Sequence, residues 1–127
     1  MKQAMVAVLA LLTSCTSSLQ VRDAPANEVG LYPTNYRELL RQHVRQVFVD
    51  PYSLRNVAIG PPIAGTILDK TGWLVCMTAN AKNRMGVYTG QETRIYVIRD
   101  QQVIGSNTDS YGYCNQVAMN PWPMAGS

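Results

Sequence analysis

The chain has few of the residues from which most catalytic and metal sites are built. Its 127 residues include one histidine, His43, and three cysteines, Cys15, Cys76 and Cys114. Its eight carboxylates are scattered along the sequence without a paired acid–base motif. A metal site normally takes more than two thiols and one remote histidine. The composition therefore predicts a protein that is not an enzyme, with no catalytic residue, no metal and no cofactor.

The apolar run near the start of the chain is too short to cross a membrane. Ala4 to Leu12 supplies fewer than half of the roughly 20 apolar residues that a spanning helix needs. Lys2 precedes this run, and small residues lead from it to Cys15, which is the order of a bacterial export signal. The sequence therefore predicts an exported protein.

The end of this signal, "LTSC" at residues 12–15, resembles the lipobox of bacterial lipoproteins. The resemblance implies that residues 1–14 are removed as a signal peptide and that Cys15 carries the lipid that anchors the protein in the membrane. Thr16 stands where lipoproteins of the inner membrane often carry aspartate, so we expect the outer membrane, on its periplasmic side. An ordinary signal peptide with an incidental cysteine is the alternative.

Behind the signal, the sequence indicates a tether, one domain and a tail. Residues 15–30 are mixed and polar without a sustained period, which predicts a lipidated tether. A single domain is expected at residues 31–120, followed by a tail at 121–127. In that tail, Trp122 stands between two prolines. It either packs on the domain's own sheet, which we favour, or docks into a partner.

The charge pattern does not favour a nucleic-acid partner. The chain has 11 Lys and Arg against 8 Asp and Glu, and loss of the signal peptide removes one of the cations, Lys2. Three arginines recur at helical spacing on the face opposite the apolar residues of a predicted helix: Arg37, Arg41 and Arg45. Such a row indicates a solvated face, with weak attraction to anionic lipid or peptidoglycan as the alternative.

The cysteine count predicts one disulfide. With Cys15 taken by the lipid, Cys76 and Cys114 remain as a pair in an oxidising compartment. Because a small exported domain has a limited core, a crosslink closing this loop is expected to add about 4 kcal/mol of stability. A metal site, or a redox pair that would more naturally be Cys-x-x-Cys, is the weaker alternative.

The spacing of apolar residues predicts an α+β fold. A helix is expected behind a candidate N-cap at Thr34, ending at Asp50-Pro51, with five apolar residues on one face: Tyr36, Leu40, Val44, Val47 and Phe48. Short β-rich runs follow, with turns predicted at "DKTG", between Ile67 and Trp73, and at Asp100-Gln101. We therefore expect one N-terminal amphipathic helix packed on a mostly antiparallel sheet of four to five strands, with one disulfide.

The stretch "NAKNRMGVYTG", residues 80–90, has the composition of a binding loop. Five of its side chains could contact a ligand, two by charge and three by directional hydrogen bonds: Lys82, Arg84, Asn80, Asn83 and Tyr88. The favoured interpretation is structural, as a long connection or an irregular edge with a bulge at Gly86. In that case the asparagines bond the backbone and the glycines supply positive φ.

The same region resembles a motif of small exported proteins of proteobacteria that have no assigned function. In that motif a cysteine is followed by Asn-x-Lys-Asn, then by Gly and by Tyr-x-Gly, and the matching positions are Cys76, Asn80, Lys82, Asn83, Gly86, Tyr88 and Gly90. The resemblance implies only that the stretch is a fixed unit. A phosphate-binding Gly-x-x-x-x-Gly-Lys motif is missing from it.

These observations lead to two hypotheses about function. The first is an envelope-anchored lipoprotein with a structural or accessory role in a cell-envelope assembly of the secretion or conjugation type, which binds an envelope protein. The alternative is an envelope ligand-binding module that holds a glycan or an anionic head group with residues 80–90. In both, the membrane is contacted through the lipid on Cys15.

Overall fold

The computed structural model describes residues 21–123, and the predicted signal peptide and Cys15 lie outside them. Ten elements follow one another: β1 (Val21–Asp23), α1 (Tyr36–Val47), a 3₁₀ turn (Pro51–Ser53), β2 (Arg55–Ile59), β3 (Ile63–Ile67), β4 (Lys70–Lys82), β5 (Tyr88–Arg99), β6 (Gln102–Thr108), a second 3₁₀ turn (Tyr113–Gln116) and β7 (Asn120–Pro121). The predicted α+β class is confirmed, but the sheet has seven strands rather than four or five.

The helix α1 is held by the apolar face that its sequence predicts. Leu40 and Val44 are fully buried against the sheet, and Tyr36 and Phe48 pack at the edge of the same core. Val47 was assigned to this face but is 55% exposed. No helix within residues 21–123 has the length and hydropathy needed to cross a bilayer.

Both ends of α1 differ from the prediction by a few residues. Asn35, and not Thr34, occupies the N-cap position, and it makes no side-chain hydrogen bond there. The helix ends before Asp50-Pro51, because Phe48 already has an extended backbone with φ −82° and ψ 144°. Helix ends are set by such local backbone geometry, which residue pattern locates only to within a few positions.

The sheet is organised around the long strand β4. One edge of β4 pairs with β5, and the other edge pairs with β3 over its first half and with β2 over its second half. The sheet then extends to β1 beyond β3, to β7 beyond β2 and to β6 beyond β5. Every pairing among the described strands is antiparallel. The two additional strands, β1 and β7, are three and two residues long, too short to show an alternating pattern.

Two tight turns set the register of the hairpins. The turn predicted at Asp100-Gln101 is confirmed, and the φ angles of its residues, 50° and 64°, suit a two-residue hairpin loop. The other turn is Leu68-Asp69, so most of the predicted "DKTG" turn lies in β4. A hydrogen bond of 2.7 Å between the hydroxyls of Thr66 and Thr71 stabilises this register across the strands.

Both faces of the sheet are covered. Because successive strand residues point to opposite faces, one set packs against α1 and Trp122: Val57, Ile59, Val75, Met77, Ala79, Tyr96 and Ile98. The other set packs against the C-terminal segment: Ile67, Leu74, Cys76, Ile95 and Val97. The predicted disulfide joins Cys76 to Cys114 on this second face, with Cα atoms 5.9 Å apart.

The fold extends beyond the predicted domain at both ends. In place of a tether, residues 21–30 contain β1 and the fully buried Val29, and the carbonyl of Gly30 accepts a hydrogen bond from the Trp73 indole at 3.1 Å. In the predicted tail, Trp122 packs on the domain's own sheet, as expected. It is 6% exposed, and its backbone N–H donates to Val57 O at 2.8 Å.

Candidate functional site

The stretch of residues 80–90 forms the end of the β4–β5 hairpin. Residues 80–82 finish β4, residues 88–90 begin β5, and residues 83–87 connect them. The stretch is therefore not a long connection. The irregularity expected at Gly86 lies between Asn80 and Lys82, where the strand register shifts, whereas Gly86 supplies the positive φ of the turn at 76°.

Both asparagines of this stretch shape the hairpin. The side-chain oxygen of Asn83 accepts hydrogen bonds from the backbone of Met85 at 2.9 Å and of Val87 at 3.1 Å. The side-chain oxygen of Asn80 accepts one from the backbone of Gly90 at 3.0 Å. These two oxygens, predicted as candidate ligand contacts, therefore bond the chain itself.

Tyr88 joins the hairpin to the first 3₁₀ turn. Its hydroxyl donates to the carbonyl of Ser53 at 2.7 Å. The guanidinium of Arg55 lies 4.0 Å from the centre of its ring, and the ammonium of Lys82 lies 5.3 Å from it. Cation–π contacts of this kind contribute about 0.5–1 kcal/mol at exposed sites. The hydroxyl of Tyr88 is thus used within the fold.

The hairpin end, defined as residues 82–87, combines positive charge with exposed apolar surface. It contains Lys82 and Arg84 and no carboxylate. Met85 is 85% exposed and Val87 is 57% exposed. Three more exposed apolar residues lie at the end of α1 or shortly after it: Val47, Val49 and Tyr52. The bond from Tyr88 to the 3₁₀ turn brings these two groups to the same end of the molecule.

A groove runs along α1 on the side of β5 and β6. Its apolar cavity, of about 200 Å³, lies beside the last turn of α1 and is lined by six apolar residues: Val47, Phe48, Val49, Met77, Ala79 and Ala81. Three charged residues also line it: Lys82, Glu92 and Arg94. Its polar cavity, of about 240 Å³, is lined by His43, Arg94, Tyr96 and Ser106 together with two apolar residues. The two cavities share Val47, Phe48 and Arg94, so they form one continuous groove.

A hydrogen-bonded network on β5 and β6 holds Arg94 in the middle of the groove. Its guanidinium donates to Glu92 Oε1 at 3.1 Å and to Ser106 Oγ at 3.2 Å, and Thr108 donates to Glu92 at 3.3 Å. Sequence reasoning missed this network. The available signal was the alternation of Glu92, Arg94 and Tyr96 along one strand, which puts two charges and a phenol on one face.

Two aromatic rings that can change protonation meet in the polar cavity. His43 packs edge-on against Tyr96, with ring centres 5.7 Å apart. Burial, assisted by the charge of Arg94, lowers the pKa of His43, and burial raises the pKa of Tyr96 to about 12. The tyrosine hydroxyl is buried close to Arg94, which can only donate to it, and its own O–H has no acceptor within the described part of the chain.

The three arginines of α1 pack on aromatic rings of the protein. Each guanidinium lies 5.5 or 5.6 Å from a ring centre, in the pairs Arg37 with Tyr36, Arg41 with Trp122 and Arg45 with Tyr52. Arg41 also pairs with Glu38 at 2.8 Å, which relieves the charge of the row. These contacts give the row a structural role on the surface of the helix.

A smaller cavity of about 190 Å³ lies on the other face of the sheet, between β1, β3, β5 and the C-terminal segment. The carboxylate of Asp109 at its edge accepts hydrogen bonds from the backbone of Tyr113 at 2.9 Å and of Cys114 at 2.8 Å. Burial, followed by the charges of Asp23 and Asp109, raises the pKa of Tyr113. Asp109 thus fixes the start of the second 3₁₀ turn.

The arrangement of these side chains is suited to binding. Ser106 accepts a hydrogen bond from Arg94, and Ser53 donates to the carbonyl of Asp50. Among residues 21–123, no three His, Cys, Asp or Glu side chains are grouped so that they could hold a metal ion. The groove instead presents apolar surface beside hydrogen-bond donors, which is the usual make-up of a ligand pocket.

Within residues 21–123, the hairpin end and the groove are the surfaces that combine exposed apolar residues with charged or hydrogen-bonding groups. Comparisons with protein-family models, with curated proteins and with solved structures found no match to the chain.

Proposed function

We propose that the protein is an envelope-tethered interaction module whose hairpin end docks on a partner protein. The observation that carries the proposal is the grouping of exposed apolar side chains at one end of the molecule: Met85, Val87, Val47, Val49 and Tyr52. Single exposed apolar residues are normal on protein surfaces, but a group of them marks an interaction site. The structural or accessory role expected from the sequence is consistent with such a surface.

The charge of the hairpin end indicates the chemistry of the partner. Lys82 and Arg84 directly precede Met85 in the chain, and residues 82–87 contain no carboxylate. The guanidinium of Arg55 lies over the ring of Tyr88, which follows them. Protein interfaces combine an apolar centre with a polar rim of complementary charge. We therefore expect a partner surface with an apolar patch bordered by Asp and Glu.

The alternative function, binding of a glycan or an anionic head group by residues 80–90, has less support. Such a ligand would need directional hydrogen bonds, whereas the oxygens of Asn80 and Asn83 and the hydroxyl of Tyr88 bond within the fold. Charge from Lys82 and Arg84 remains, but charge alone gives little selectivity for a glycan.

Met85→Glu is expected to weaken binding of the partner without unfolding the protein. The side chain of Met85 is 85% exposed, so a charge at this position changes the stability of the free protein little. In the complex, the glutamate would be buried against the apolar patch of the partner, which is unfavourable. After mild extraction from native membranes, quantitative mass spectrometry of a pull-down should show recovery of the partner reduced at least about tenfold.

Leu31→Glu is the matched control for this experiment, because Leu31 is 87% exposed and lies outside the hairpin end. Its pull-down should match the wild type. Equal recovery of every bound protein with both variants would contradict the docking surface. Saturable binding of peptidoglycan fragments that is lost in Lys82→Ala with Arg84→Ala would favour the ligand-binding alternative.

The lipid anchor is the second part of the proposal. The lipobox resemblance implies acyl chains on Cys15, and each buried CH₂ contributes about 0.8 kcal/mol of membrane affinity. The disulfide is consistent with export, since such bonds persist in oxidising compartments. Because β1 begins at Val21, the tether is shorter than the sequence alone predicts, which would keep the folded domain closer to the membrane.

Cys15→Ser is expected to move the protein from the membrane fraction to the soluble fraction, because the acyl chains supply the affinity. Fractionation of the native host, followed by immunoblotting, measures the shift, and mass spectrometry of the wild type identifies its first residue. An unmodified Cys15 would contradict the lipid anchor. A chain that still begins at Met1 would also contradict the signal peptide.

A further inference from the structure

The polar cavity of the groove presents hydrogen-bond donors that converge on one region. Arg94, Tyr96, Ser106 and His43 line it, and the donor of Tyr96 lacks an acceptor in the described part of the chain. Tyr96 is 1% exposed, so its hydroxyl has little contact with bulk solvent. A buried hydroxyl without a partner is destabilising, and folds seldom keep one without a reason. A ligand that brings an acceptor oxygen to this cavity would satisfy it.

The adjoining apolar cavity is large enough for one ring or one branched hydrocarbon group. It measures about 200 Å³, and an apolar cavity of about 150 Å³ is sufficient for benzene. Its apolar walls come from the end of α1 and from alternate residues of β4, namely Val47, Phe48, Met77, Ala79 and Ala81, while Lys82, Glu92 and Arg94 supply charge beside them. With the polar cavity of about 240 Å³, the groove reaches the range of roughly 300–1,000 Å³ typical of small-molecule sites.

We propose that this groove binds a free carboxylic acid that carries one aromatic or short branched hydrocarbon group. The carboxylate of the ligand binds Arg94 and accepts a hydrogen bond from the hydroxyl of Tyr96. The hydrocarbon group of the ligand fills the apolar cavity. The site adjoins the docking surface and shares Val47, Val49 and Lys82 with it, and it adds a small-molecule ligand to the proposed interaction module.

The contacts of Arg94 explain how a carboxylate enters. The Tyr96 hydroxyl is closed off from solvent, so binding must displace a neighbouring group. Arg94 holds Glu92, a charged acceptor, and Ser106, a neutral one. When the ligand binds, its carboxylate takes the place of the Ser106 hydroxyl as a hydrogen-bond acceptor for Arg94. A charged acceptor forms a stronger bond with a guanidinium than a neutral one does. Glu92 continues to hold the guanidinium in place, and its negative charge limits the site to a ligand of single negative charge.

Isothermal titration calorimetry of the full chain with 3-phenylpropanoate tests the site, since this probe joins one ring to one carboxylate. We expect saturable binding with one site per chain. The uncharged 3-phenylpropanamide should bind at least about tenfold more weakly, because it cannot form a charge-assisted pair with Arg94. Ala81→Leu, which narrows the apolar cavity, should also weaken binding of the acid.

Tyr96→Phe separates a ligand role of the hydroxyl from a structural one. This variant should bind 3-phenylpropanoate at least about tenfold more weakly, while its melting temperature stays equal to that of the wild type or rises, because an unpaired buried hydroxyl is removed. Tyr113→Phe, on the opposite face of the sheet, is the control and should bind like the wild type.

Three results would overturn the proposal. They are no saturable binding of 3-phenylpropanoate at millimolar concentration, equal affinity of Tyr96→Phe and the wild type, and equal affinity for the acid and its amide. A peptide ending in phenylalanine that binds more than about tenfold tighter than the free acid would also overturn it, by assigning the groove to a protein C-terminus. Met85→Glu should not change any of these affinities, because Met85 belongs to the docking surface but not to the lining of the groove.

Discussion

Replacing Cys114 with serine is expected to lower the free energy of unfolding by about 4 kcal/mol and the melting temperature by about 15 °C or more. The disulfide closes a loop with a sequence separation of 38 residues. Opening that loop raises the conformational entropy of the unfolded chain, and the loss is large for a domain whose total stability is about 5–15 kcal/mol. Calorimetry of the oxidised wild type and the variant measures both quantities.

The disulfide also decides which part of the fold should loosen first. Cys114 belongs to the second 3₁₀ turn, which covers the sheet face opposite α1. Cys76 lies inside β4, which pairs with neighbours on both of its edges. Amide exchange, followed by mass spectrometry, should therefore rise first in residues 109–119 when the bond is reduced, while β4 keeps its protection.

The double variant Cys76→Ser with Cys114→Ser provides the control for this prediction. Its free energy of unfolding should lie within about 1 kcal/mol of that of the single variant, because the loss of the crosslink is the source of the effect in both. Titration of two free thiols in the unfolded, unreduced protein from the periplasm would contradict the prediction. It would also mean that Cys76 is a free thiol, which could react or bind a ligand.

Trp122→Ala is expected to destabilise the protein by about 3–5 kcal/mol, the usual effect of removing a large buried aromatic side chain. The indole is 6% exposed and packs in the same core as Leu40 and Val44, and the guanidinium of Arg41 lies 5.5 Å from its ring. Removal of the indole leaves a cavity under α1, and the helix then buries less apolar surface. Urea unfolding monitored by circular dichroism gives the change in free energy.

Tyr111→Ala is the matched control for the tryptophan variant. Tyr111 is also an aromatic residue of the C-terminal region, but it is 64% exposed, so its removal should change the free energy of unfolding by no more than about 0.5 kcal/mol. A change below about 1 kcal/mol in Trp122→Ala would show that β7 and the residues around it contribute little to the core. A partner role for the tryptophan would then become the better interpretation.

The candidate site was predictable only in part. The glycine and asparagine content of residues 80–90 indicated the local turn, and these residues act on atoms close to them in the chain. The groove was missed because its walls come from three places: α1 supplies His43, β5 supplies Arg94 and Tyr96, and β6 supplies Ser106. Only tertiary folding brings these elements together, and no short motif records such a contact.

The sequence by itself determined the α+β class, the amphipathic face of α1, the turn at Asp100-Gln101 and the Cys76–Cys114 pair. Each of these follows from local periodicity, turn chemistry or cysteine count, which involve neighbouring residues or a single possible pairing. It also carries the export signal and the lipobox resemblance at Cys15, which stay predictions.

The tertiary structure alone decided the role of the chain's ends and the position of the groove. Val29, which the pattern assigns to a tether, is fully buried, and Trp122, which it assigns to a tail, packs in the core shared by α1 and the sheet. Short edge strands such as β1 and β7 gain their stability from long-range pairing with β3 and β2, and not from their own residues. A pattern within the sequence cannot report an interaction whose partner is supplied by another part of the fold.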